Sequence, residues 1–413
     1  MWKSWDNIRN DIWKLYSRIE QRRNKIEEKI SYKLLYSEKT QMGCFHKYPV
    51  ANVFDYPKTD FIYRESEEKC AYKVVTKPRS APDFMEEKED VDYFPDYIAV
   101  LNNAEVIPCT DVVIKDGVML SDRFEYDKQF RSTLLMPRVV YDKKSIVLKT
   151  KRKECLKGEY INLCFAGTGN IWHITHWMIS KMRLINSCDA LKNVPILMDE
   201  CIKTSKFARQ FFACFNWDHH KIVYLNKNRL YQVERVYMTS ASGVCVRLEQ
   251  NNFVSICSRK FAPYVRSVML KKLRATSQKR KFFIRRGDGR LVNEEEVMAY
   301  LKSKGFEVIQ PEKYSFIDEL SLFYNAECVV GATGAGFTNI LYMQNECSVI
   351  CIASEERIDN VTSLATDVQD IGVKVYYCPA RAVSKDGVVL PMKFRVSIPE
   401  LEKIHDHIYP DPV

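Results

Sequence analysis

No run of about 18 apolar residues occurs in the 413-residue chain, so no transmembrane helix is expected. The first residues lack the apolar core of a secretory signal, which makes a cytoplasmic location the expectation. None of the 14 cysteines form a CxxC pair. Cys164, Cys245, Cys257, Cys328 and Cys351 fall instead inside apolar strand patterns. They are expected to be small core residues in a reducing compartment, not a disulfide frame or a zinc site. No GxxxxGK[ST] is present, which excludes an NTPase phosphate loop. No internal repeat or low-complexity tract occurs. Glycine is sparse, with 14 residues in all, so its clustering at Gly331, Gly334 and Gly336 stands out.

Apolar residues make up 46% of the chain and aromatics 12%, enough for real cores in two or three domains. The formal charge of +10 fits anionic ligands such as nucleotide diphosphates, anionic lipid surfaces or nucleic acid, and does not choose among them.

The most informative stretch is residues 280–354. Residues 280–286 (RKFFIRR) read as a strand with a basic exit. Asn293, with Glu296 three residues on, predicts a capped helix to residue 304, stopped by Gly305. Residues 306–310 predict a strand, Ser315 caps a second helix, and residues 327–331 a short apolar strand. The chain then turns at Gly331, Gly334 and Gly336 into a helix to about residue 344, followed by a strand at 348–353. Strands alternating with helices at this spacing imply a parallel sheet with helices on both faces. Glycines let backbone amides approach a ligand closely, and a helix start presents unpaired N–H groups that suit a phosphate. Arg285 and Arg286 leave a strand of the same sheet and can reach the same edge. The alternative is that the glycines only close a turn and the arginines are solvated.

The ordered set Arg285-Arg286, Asn293 to Glu296, Gly305 to Val308, Ser315-Phe316, Leu322-Phe323, Ala326 and Gly331 to Asn339 resembles the C-terminal half of family 61 glycosyltransferases. The resemblance covers about a hundred residues. It implies transfer of a sugar from a nucleotide sugar, without a further cofactor, to a glycan or lipid-linked glycan. It also implies a GT-B-like α/β fold, with two facing Rossmann-like domains built on parallel sheets. A role in capsule or other surface polysaccharide synthesis and inversion at the anomeric carbon are implied with it. Donor binding then falls to Arg285, Arg286, Thr333, Gly334, Ala335, Gly336, Thr338 and Asn339. Two positions depart from the family pattern. Thr333 stands where the family commonly has histidine, and Cys351 where it commonly ends the next strand with a carboxylate. Glu355 or Glu356, just beyond that strand, can substitute for the latter in ribose recognition.

Upstream, residues 1–36 form an amphipathic helical pattern, with Trp5, Ile8, Ile12, Leu15, Ile19, Ile26, Ile30 and Leu34 on one stripe. Residues 1–35 carry nine basic and five acidic side chains. Two readings stay open: packing or homodimerisation through residues 2–35, or peripheral contact with the inner face of a membrane through Trp2, Trp5 and Trp13. Residues 37–95 read as an irregular extension. Its Asp90-Val91-Asp92 is taken as a chance D-x-D in a strandless acidic cluster. Residues 96–157 read as a small β module, 158–270 as the acceptor Rossmann-like domain, 271–395 as the donor domain and 396–413 as a final helix.

The run Gly169 to His173 resembles the family's Asn-x-x-His signature at the start of the acceptor domain's first helix. Asn170 and Trp172 are then acceptor-binding candidates. An acceptor hydroxyl must lose its proton as it attacks, and histidine suits that task. His173 is the first candidate and His176, three residues on and on the same helix face, the second; a histidine that merely orients the acceptor or packs is the alternative. His219-His220 reads as an exposed loop pair, and no metal is expected. The arginines and the glycine-turn amides can neutralise a departing diphosphate without one. A catalytically reduced relative is the second reading. Nucleic-acid binding is not expected, because the basic run near 271–290 lacks interleaved aromatic platforms.

Overall fold

A computed structural model of the chain describes residues 26–410, apart from 28, 32, 35, 66–69, 94–95, 111–112, 122–139, 142–144, 150–151, 166–169, 216–219, 241–242, 248–252, 258–259, 277–278 and 386–387. The expected helix over residues 1–25 lies outside the described residues. Its continuation near residue 30 is helical, and Leu34 is buried against Phe45 and Val147.

The second half follows the sequence pattern closely. Its six-stranded sheet runs Glu307–Ile309, Arg280–Ile284, Ala326–Ala332, Ser348–Ser354, Lys374–Lys385, Val388–Val396. The first five are parallel and the last is an antiparallel edge. In chain order the parallel strands are arranged 2-1-3-4-5, so the direction of winding reverses between Arg280–Ile284 and Ala326–Ala332. Such a reversal leaves a crevice at the carboxyl ends of the two strands, because their connections depart to opposite sides. Ile284 lies beside Gly331 in the register. A side chain at Gly331 would come within 3.2 Å of Ile284 Cβ and 3.3 Å of Phe337. The missing Cβ is what lets these two apolar side chains close the core under the crevice.

The first half is more mixed than the sequence suggests. Ile222–Leu225, Ile196–Asp199, Arg152–Asn162 and Arg229–Thr239 are parallel neighbours. Tyr97–Val106 then pairs antiparallel with Arg229–Thr239, and the sheet continues through the hairpin Val113–Lys115 and Val118–Ser121. One sheet thus runs through both the 96–157 and the 158–270 segments. Strand Arg152–Asn162 crosses the boundary between them.

Residues 37–95 are not irregular. They contain Phe45–Asn52, Asp60–Arg64 and the hairpin Cys70–Lys77 with Glu87–Tyr93. Asp90 is opposite Lys73 in that hairpin, so the D-x-D lies on a strand and not in a strandless cluster. Charged residues alternating with Val and Tyr hid the strand in the sequence. The hairpin docks on the second half: Val75 N–H donates to Thr366 Oγ1 at 2.9 Å, and Gln369 Nε2 to the Lys73 carbonyl at 2.6 Å.

One apolar core joins the two halves. Trp177, Met178 and Phe211 of the first belong to the same buried cluster as Phe282, Ile284, Phe337 and Ile340 of the second. Phe316 meets Phe207 and Phe211 edge-on, with ring centroids 5.1 and 5.5 Å apart. Each such fully buried side chain contributes about 1.5–3 kcal/mol.

Candidate active site

The chain leaves Arg280–Ile284 as Arg285-Arg286-Gly287-Asp288-Gly289-Arg290. Gly287 and Gly289 have φ of 66° and 70°, which favours glycine at both. Glu294, in the first turn of helix Glu294–Ser303, anchors the loop by accepting the Arg286 and Gly287 N–H groups at 2.9 and 3.1 Å. Asn293 makes no side-chain cap here, contrary to expectation. Its amide pairs instead with both backbone groups of Val396 on the edge strand. Ser315 does cap its helix, through the Asp318 N–H.

Next to this loop the third strand ends at Ala332, and Gly334 adopts φ 154°, ψ −179°, a region essentially reserved for glycine. A Cβ there would lie 2.1 Å from Arg286 Nη1 and 2.9 Å from Arg290 Nη1. Two guanidiniums therefore rest on the glycine corner. Arg290 Nη1 donates to the Thr333 carbonyl at 2.7 Å, and Asp288 accepts Arg286 Nε at 3.0 Å and the Arg290 N–H at 3.0 Å. Burial lowers the Arg290 pKa, as do the charges of Arg286 and Arg357, against the opposing pull of Asp288. Arg357 closes the short turn Glu355–Arg357 beyond strand Ser348–Ser354. Arg286 and Arg357 thus both lie within electrostatic reach of Arg290, with Asp288 beside Arg286 and Arg290 and Asp359 near Arg357, an arrangement that can serve as an anion receptor.

The other predicted donor residues divide by position. Gly334, Ala335 and Gly336 are half-exposed, whereas Thr333, Thr338 and Asn339 are buried. The helix expected after the glycine turn is a 3-10 helix, Ala335–Tyr342. Phe337 to Met343 are all buried, so this short helix is enclosed on every side. The Ala335 and Gly336 N–H groups precede its first intrahelical bond, Phe337 N–H to the Gly334 carbonyl. Asn339 Nδ2 donates to Glu319 Oε1 at 2.6 Å, and burial pushes the Glu319 carboxyl up to about 7. Arg285 turns toward Glu295, 2.7 Å away. Glu355 is exposed at the same sheet edge.

The acceptor-side residues reach this corner through the first helix of the other half. Asn170 caps it by accepting the Trp172 N–H at 2.9 Å. The turn Ile171–His173 packs against Ala335–Tyr342. The helix then widens into a single π turn, Ile174–Met178, before continuing as Ile179–Ser187. Within this stretch Trp172 stacks on His176 at 4.5 Å, and His173 lies against Trp177 at 4.3 Å. Burial, and then the charge of His176, lower His173 to about 4. Its Nδ1 is buried without a hydrogen-bond partner, as are Trp177 Nε1 and Thr338 Oγ1.

His176 does not fit the role of base. Its Nδ1 lies 3.0 Å from the Trp172 carbonyl and its Nε2 3.0 Å from Asp367 Oδ2, so neither nitrogen is left to take an acceptor proton. His220 is also not an exposed loop residue; it is buried, 2.8 Å from the Val194 carbonyl, while His219 lies outside the described residues. The sequence reading missed Arg290, Arg357, Glu319 and Asp367. Arg290 alone carried a signal, in the glycine spacing of Gly287-Asp288-Gly289-Arg290.

The geometry defines a cationic crevice at a winding reversal, faced by a histidine-bearing helix. The family is more definite. The glycosyltransferase 61 family model matches residues 91–350, and the chain belongs to that family. Among solved structures, the bacterial iron-containing dodecameric glycosyltransferase TibC from enterotoxigenic E. coli H10407 is similar at 12% identity. That alignment covers 76% of this chain and 79% of TibC, with a TM-score of 0.27. The dodecameric iron-containing heptosyltransferase TibC in complex with ADP-D-beta-D-heptose also matches at 12% identity, covering 72% and 77%, with a TM-score of 0.25. Those scores carry no argument about this chain. No curated protein matches it.

Proposed function

We propose that the protein transfers a sugar from a nucleotide sugar to a glycan or lipid-linked glycan, in a GT-B-like arrangement, for surface polysaccharide synthesis. The observation that carries this reading is the placement of Arg286 and Arg290 on Gly334, at the winding reversal of the second sheet. The donor diphosphate lies across Gly334 to Gly336. It takes hydrogen bonds from Arg286, Arg290 and the Ala335 and Gly336 N–H groups, with Arg357 adding charge. Glu355, at the same edge, takes the ribose hydroxyls.

His173 is neutral at physiological pH and keeps a lone pair for the acceptor proton. As the acceptor oxygen attacks the anomeric carbon from the face opposite the diphosphate, that proton passes to His173 and the configuration inverts. The bond to the diphosphate breaks, and its growing charge is met by the guanidiniums and amides, without a metal. The diphosphate also makes His173 a better base when bound, since a nearby anion favours imidazolium.

The test is a panel of nucleoside diphosphates and nucleotide sugars, scored by thermal stabilisation and calorimetry, followed by transfer assays with the sugars that bind. Binding with transfer supports the reading. Binding without transfer or hydrolysis supports a catalytically reduced relative, which Thr333 in place of the family histidine favours. No binding by any member refutes it.

A further inference from the structure

His176 and Asp367 form a buried pair that crosses between the halves. Their side chains are 1% and 4% exposed, and the Nε2 to Oδ2 distance is 3.0 Å. Both neighbours of the imidazole, the Trp172 carbonyl and the Asp367 carboxylate, are acceptors. Both ring nitrogens are therefore engaged, one within its own helix and the other across to the second half. The groups around the ring are Trp172 and His173 on its own helix, Phe261 at the start of helix Phe261–Met269, and Asp367 from helix Ile358–Val368. His173, in turn, is shifted by burial and by the charge of His176.

The helix that supplies Asp367 begins next to Arg357, at the anion receptor, and carries Asp367 in its last turn. At a rise of about 1.5 Å per residue, the two ends are roughly 15 Å apart. Thr366, beside Asp367, is clamped by the Val75 N–H. One rigid element therefore touches the donor corner at its start and the acceptor helix near its end.

We infer that Asp367 is a positioning residue supplied by the donor half, acting through His176 to hold Trp172 and His173 at the donor corner. The π turn offers no carboxylate of its own, so the anchor at His176 Nε2 comes from the other half. The inference rests on the proposed role of His173.

Full-length protein labelled at its seven histidines is followed by NMR across pH, as wild type, Asp367→Asn, Asp367→Glu and His176→Gln. With the carboxylate gone, the His176 ring loses its tether, the burial that lowers His173 is relieved, and His173 should titrate higher. His176→Gln should give the same shift, which guards against Asp367→Asn failing to fold. Asp367→Glu, keeping the charge, should restore most of the wild-type position. Affinity for a nucleoside diphosphate that binds the wild type, read in parallel, should stay within about twofold in all three. A His173 titration that stays put in both neutral variants overturns the inference. Because that readout needs no turnover, it stands apart from failure of the transferase reading, which shows as loss of ligand binding in the wild type.

Discussion

Gly334→Ala is the sharpest perturbation of the donor corner. The residue sits at φ 154°, ψ −179°, where an alanine costs about 1–3 kcal/mol of backbone strain. Its new methyl group would also fall 2.1 Å from Arg286 Nη1 and 2.9 Å from Arg290 Nη1, so the Arg286 guanidinium must move off the corner and that of Arg290 must give way slightly. Losing one charge-assisted phosphate contact costs about 1.5–3 kcal/mol, or roughly tenfold to a hundredfold in Kd. Gly331→Ala is the comparison. Its methyl group meets Ile284 and Phe337 at 3.2 and 3.3 Å, inside the core, and touches neither arginine. That variant should lose stability by about 1–3 kcal/mol through overpacking while keeping its affinity. Calorimetry with a nucleoside diphosphate, paired with denaturant unfolding, separates the two costs. Equal loss of affinity in both variants, or unchanged affinity in Gly334→Ala, would refute the reasoning.

Arg285→Ala should weaken diphosphate binding by less than about threefold, because its guanidinium is held at Glu295, whereas Arg286→Ala should weaken it by about tenfold or more; the same titration reads both. Glu319 holds its proton to about 7 when folded, against 4.5 for the free group, so it costs stability as pH rises through that window. Glu319→Gln keeps an acceptor for Asn339, and should raise Tm at about pH 8 while leaving it unchanged near pH 4; an equal shift at both would contradict the burial argument. His173 is lowered to about 4, so kcat/KM should show no histidine limb near 6.5 and fall only as pH approaches 4. His173→Ala should cut kcat and spare donor affinity, read by transfer assay and calorimetry.

The second half was legible in the sequence because its strands are short apolar runs punctuated by glycines and capped helices. Arg285-Arg286 and Gly331 to Gly336 could be placed at one sheet edge for that reason. Which arginine turns inward could not be read, since Glu294 and Asp288 settle it through contacts within the loop. His173 and His176 looked equivalent at i and i+3. The π turn and Asp367, 191 residues away from His176, separate them, and no local pattern announces either. The extension at 37–95 was misread for a third reason. Strand Glu87–Tyr93 is mostly charged, and the partners of the hairpin lie far off in sequence: beside the buried Tyr72, Val74 and Val75, Thr366 and Gln369 supply hydrogen bonds that the sequence cannot show.

The central claim is where the diphosphate sits. A crystal structure with a bound nucleoside diphosphate tests it directly. The account predicts phosphate oxygens within about 3.2 Å of the Arg286 and Arg290 guanidiniums and of the Ala335 and Gly336 nitrogens. A nucleotide bound elsewhere, with Arg286 and Arg290 still lying on Gly334, would contradict it.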